Sequence, residues 1–178
     1  MICTSQSLIG QSSHDHKATT VREKHGLSKV MGSAAIDTTV EGLHLRVWLI
    51  TQRQHTTLMK GNKAQTLMGM EEYDPEAPID PAKVNMAMDK EKTRLMMAGT
   101  HFIVAEIADS ATGNEIVDPS AALSIVSPSR KRSSVELIRI MSNFGLGLHL
   151  KEKGMYHLTI DVNANGFSRI VHFMYTVR

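Results

Sequence analysis

Apolar and polar residues alternate through much of residues 133–178, the period of two that a half-buried β-strand requires. In Leu146-Gly147-Leu148-His149-Leu150 the three leucines share one face. Lys151-Glu152-Lys153-Gly154 interrupts the pattern as a charged turn, and Met155 to Val162 resumes it. There Tyr156, Leu158, Ile160 and Val162 point one way, while His157, Thr159 and Asp161 point the other. Asn163-Ala164-Asn165-Gly166 supplies residues that accept positive φ, the strongest short-range hairpin signal. Phe167 to Val177, rich in aromatic and β-branched residues, reads as the closing strand.

The same reading extends upstream. Val40 to Thr51 sets Leu43, Leu45, Val47 and Leu49 on one face and His44, Arg46 and Trp48 on the other, so the second face is mixed and Trp48 implies partial cover. His101 to Asp109 is apolar on both faces, which predicts a central strand. Asp109 to Asn114 carries turn chemistry, Ala121 to Val126 is a further strand, and Val135 to Met141 another. Between those two, Arg130-Lys131-Arg132 reads as a solvated hairpin tip. Seven to eight strands with evenly spaced turns and no βαβ alternation predict an all-β chain. Its expected form is an antiparallel β-sandwich of the Ig-like kind.

Two stretches fall outside that pattern. Residues 1–33 are polar, with little periodicity, and predict a flexible arm ahead of a single domain over 34–178. Residues 52–98 are too long for a bare loop and hold seven of the twelve methionines. Within this Met-rich excursion Asp80-Pro81 reads as a helix N-cap, with Gly99 able to close the helix, yet Val84 to Met88 alternates like a strand. Periodicity leaves helix and strand both open over 81–98.

Charge and composition narrow the function. Twenty basic against eighteen acidic side chains give no field for nucleic acid, and 4% aromatic content offers no base-stacking platform. No apolar run is long enough to span a bilayer. The single cysteine, Cys3, has no internal disulfide partner and lies where a mature lipid-anchored N-terminus would carry it. No phosphate-binding loop, nucleophile elbow or zinc-protease motif occurs, so no enzymatic activity is expected. The thioether is soft and selects Cu(I), which makes the clustered methionines candidate copper collectors. Against that stands methionine's ordinary use as an adaptable filler under long loops.

Met141-x-Asn143-Phe144-Gly145, Leu150 and Gly154-x-Tyr156-x-Leu158-Thr159 together resemble the closing strands of small periplasmic Ig-like proteins. Those are the YtkA-like family and the periplasmic iron- and copper-binding proteins of iron-uptake systems. The resemblance spans roughly residues 95–177 and departs at Asn143, where metal-binding relatives carry histidine. It implies an exported, periplasmic protein that binds a soft metal, copper or else iron. The expected ligands are His101 with Met96 or Met97 at the mouth of one strand, Met141 near its partner strand, and His44. Met86 and Met88 are the expected outer collectors. Neutral imidazole and thioether bind Cu(I) without losing a sulfur proton, so affinity should fall as histidine protonates. The alternative is a cytoplasmic or exported interaction module, presenting an edge strand or the excursion to another protein or to a second copy of itself.

Overall fold

The computed structural model describes residues 26–59, 90–140 and 142–178. Among them, nine strands form two antiparallel sheets. They are β1 (Ile36–Val40), β2 (Leu43–Thr51), β3 (His101–Asp109), β4 (Ser120–Val126), β5 (Arg132–Glu136), β6 (Ile138–Ile140), β7 (Asn143–Leu148), β8 (Gly154–Ala164) and β9 (Phe167–Val177). The order is β1-β2-β3-β7-β6 in one sheet and β5-β4-β8-β9 in the other. This is the all-β sandwich that the alternation predicts. Its strand count exceeds the expected seven to eight for two local reasons. Ile36–Val40 forms a strand with too few apolar residues to announce itself, paired to β2 through a Glu41-Gly42 turn with both residues at positive φ. The expected strand from Val135 to Met141 is split instead. β5 belongs to the four-stranded sheet, and the chain crosses at buried Leu137 to place β6 in the other.

Odd-numbered residues of β2 and β3 (Leu45, Val47, Ile103 and Ala105 among them) meet the inward residues of β4 and β8, such as Leu123, Leu158 and Ile160, to form the main core. β3 lies between β2 and β7, the central position that its two apolar faces require. Its even-numbered face is also buried. There Trp48, Ile50, Phe102, Val104 and Ile140 form a second cluster with Leu27 and Met96. These last two come from short helices, α1 (Gly26–Met31) and α3 (Lys90–Met96). A further helix, α2 (Gln52–Met59), follows β2 directly and packs Leu58 against the same cluster. Trp48 donates its indole N–H to the Gly32 carbonyl at 2.9 Å, fixing the end of α1 to the sheet. The cover that Trp48 implies is therefore helical, and part of residues 1–33 supplies it. The rest of the arm, residues 1–25 with Cys3, lies outside the described residues.

Close approach between α3 and the sheet depends on glycine. A Cβ on Gly147 of β7 would collide with the backbone carbonyls of Ala98 and Leu95, and one on Gly99 with that of Leu148. Residues 90–96 are thus helix, whereas 81–89 lie outside the described residues. No helix among the described residues is long and apolar enough to cross a membrane.

Candidate soft-metal site

The strand register separates the ligands that sequence alone groups together. His44 sits opposite Ala108 and His101 opposite Thr51, so the two lie seven residues apart along β2. At about 3.3 Å per residue that is roughly 23 Å. They also occupy opposite faces. His44 projects from the even-numbered side, where its Nε2 lies 2.6 Å from the Asp37 carboxylate. The imidazole, with Arg46 beside it, holds the Asp37 carboxyl below its ordinary range. His101 projects inward at the far end, buried, with Nδ1 2.9 Å from the Thr100 hydroxyl and its ring edge-on to Tyr175. Burial pushes its pKa down. Met96 is buried in the second cluster, across the sheet from His101, and Met97 is 41% exposed beside α2. One ion cannot join His44 to His101, and Met96 faces away from His101. Met86, Met88 and Met141 lie outside the described residues.

The hairpin β8–β9 brings a different set of soft donors together. Its turn is the expected Asn165-Gly166, with φ of 55° and 78°, the pair of positive values that a two-residue type I′ turn requires. Register then runs without a bulge from Ala164↔Phe167 to Gly154↔Val177. His157 falls directly opposite Met174, Thr159 opposite His172, and Met155 opposite Thr176. Counting outward from the turn, these pairs are of the non-hydrogen-bonded kind, in which Cα atoms stand about 4.5 Å apart and side chains are closest. Met155 and Met174 are diagonal neighbours, as are His157 and His172, at roughly 7–8 Å.

All four side chains leave the same side of the four-stranded sheet, the side away from the core. The inward positions of the hairpin, including Tyr156, Leu158, Val171 and Phe173, pack into that core. Outward Met155 and Met174 stay 48% and 64% exposed. His172 Nδ1 is 2.9 Å from the Thr159 hydroxyl. With Nδ1 donating to that oxygen, Nε2 keeps its lone pair toward solvent, the arrangement by which a second hydrogen bond orients a metal-binding imidazole. Two imidazoles and two thioethers are thus staggered over three successive cross-strand pairs, with His157 and Met174 directly opposite and Met155 and His172 diagonal to them, and neutral nitrogen and thioether donors suit a soft monovalent ion.

His157 and Met174 are legible in principle from sequence. Alternation assigns His157 to the outward face, and counting back equal distances from Asn165-Gly166 pairs it with Met174. The signal is the sum of the two steps, and neither carries it alone.

No protein-family model matches the chain, and a search of curated proteins finds no match either.

Proposed function

We propose that the protein is a non-enzymatic, exported binding protein for a soft metal ion, with copper the first cargo and iron the second. The ion is taken up on the open face of β8 and β9. One observation carries this reading: the hairpin register sets His157 opposite Met174, with Met155 and His172 at the adjoining positions. Imidazole nitrogen and thioether sulfur bind Cu(I) as neutral ligands, so the ion keeps its charge and no proton leaves the sulfur. Because no described element covers these donors, a partner's ligands can reach a bound ion directly, which suits a carrier.

Anaerobic titration of Cu(I) into the full chain tests the reading. The Met155 and Met174 methyl resonances should move together and saturate near one equivalent. Methyl resonances that stay in place at equimolar Cu(I), with no competing chelator, exclude it.

A second reading is an interaction module. Among the described residues β9 is an edge strand, paired in its sheet with β8 alone along eleven residues, and outward Ile170 and Met174 are each more than half exposed. Such an edge can accept another strand. Self-association in size-exclusion chromatography that ignores metal and disappears in Ile170→Lys favours this reading over the first.

A further inference from the structure

The other side of the molecule holds a buried histidine with no assigned role. His55 lies on α2, fully buried, its ring stacked on Phe102 with centroids 3.7 Å apart and planes 15° from parallel. Its Nδ1 faces the side-chain amide of Gln52, one turn earlier on the same helix, at 3.3 Å. That amide nitrogen also lies 3.5 Å from the Met96 carbonyl and 3.6 Å from the Met97 sulfur. Three acceptors therefore surround one nitrogen that has two hydrogens to give. The nitrogen and oxygen contacts exceed the ordinary 2.7–3.2 Å range, so the amide is held loosely. Its own oxygen is buried without a hydrogen-bond partner among the described residues. Turning the amide over does not help, because the oxygen would then face a carbonyl and a thioether. The Gln52 amide therefore fits its position poorly, with more acceptors than hydrogens at its nitrogen and no donor for its oxygen among the described residues.

We infer that this position is a second soft-metal site, in which the ion displaces the Gln52 amide and is held by His55 Nδ1, Met97 Sδ and the Met96 carbonyl. The imidazole already has the required form. Accepting from Gln52 leaves the lone pair on Nδ1 and the hydrogen on Nε2, which has no acceptor among the described residues. Burial alone, with no charged neighbour contributing, pushes the His55 pKa down to about 4, so the ring stays neutral across the physiological range. Nδ1 and the Met97 sulfur are both near the amide nitrogen, and Met97 reaches solvent. A modest swing of the Gln52 and Met97 side chains brings both donors onto one ion from outside. The site uses none of the residues of the open face and stands or falls independently of it.

Silver(I), a soft and redox-inert probe, tests the inference in the full chain. Titration followed by methionine methyl and histidine ring resonances should move Met97 and His55 in addition to Met155 and Met174. Native mass spectrometry should count two bound ions. Met97→Leu, at an exposed position, should remove one equivalent and leave the Met174 shift intact. Gln52→Ala should tighten the same site by removing the competing amide. A Met97 methyl that stays in place in the unaltered chain at two equivalents overturns the site, whatever Met174 does. Shifts at Met97 with none at Met174 keep this site and exclude the open-face one.

Discussion

The two sheets bury their inner faces alike and treat their outer faces in opposite ways. Outside the five-stranded sheet, α1, α2 and α3 cover Trp48, Ile50, Phe102 and Val104, making that sheet the middle layer of the described structure. Outside the four-stranded sheet no described element lies over the strands, and the surface alternates Ser, Thr and Asp with His157, His172, Met155 and Met174. Apolar residues on both faces of β2 and β3 oblige the chain to supply a cover; the alternation in β8 and β9 leaves an outer face that no described element needs to cover. One outer face therefore carries stability, and the other has no cover among the described residues. Substitutions should separate these roles cleanly.

The largest effect belongs to the covered face. Trp48→Ala removes the largest fully buried side chain and its hydrogen bond to Gly32, and should cost about 3–5 kcal/mol in chemical denaturation. The same change should detach α1, visible as faster amide exchange over Leu27–Met31.

Acid should weaken the covered side next. The folded state keeps His55 neutral until about pH 4, whereas in the unfolded chain it takes up a proton near histidine's ordinary 6.5. Between those values the unfolded state binds more protons. The stability tied to a neutral His55 is therefore complete above 6.5 and is lost as the pH falls toward 4. The loss should reach about 3 kcal/mol, from a linkage of 1.36 kcal/mol per unit. His101, lowered by burial as well, adds to the same trend. His55→Phe should flatten the slope of denaturation free energy against pH between 4 and 6.5. An unchanged slope would contradict the burial argument.

The hairpin turn gives a smaller effect. Gly166 sits at φ 78°, where a Cβ meets no neighbouring atom but the left-handed conformation itself costs about 1–2 kcal/mol for a residue other than glycine. Gly166→Ala should lower the denaturation midpoint by that amount while leaving the β8–β9 register intact by cross-strand nuclear Overhauser effects.

Much of this architecture is written in the sequence, and its gaps have physical causes. Period-two burial announces β2, β4, β8 and β9, and two apolar faces mark β3 as central. The helical layer is hidden because α2 is eight residues long, with little but Leu58 and His55 to mark a buried side, and it opens a stretch dominated by methionine. Grouping His44 with His101 fails for a different reason. Their separation depends on how β2 pairs with β3 across some fifty residues of intervening chain, which no local turn specifies. The β8–β9 pairing is local, and there the turn alone specifies which side chains meet.

The smallest effect on stability should accompany a large effect on binding. Met174 is 64% exposed on the outer face of its sheet, so Met174→Thr removes little buried surface and suits a strand position, and stability should change by no more than about 0.5 kcal/mol. Its sulfur is nonetheless the partner directly across from His157. The variant should unfold with the unaltered protein yet lose most of its Cu(I) uptake at the open face, read in competition with a colorimetric Cu(I) chelator. His157→Thr should do the same, and the two together should be little worse than either, because both donors serve one ion. Independent, additive losses would mean that the two side chains do not share a site, and the outer face would then be left to the edge-strand reading.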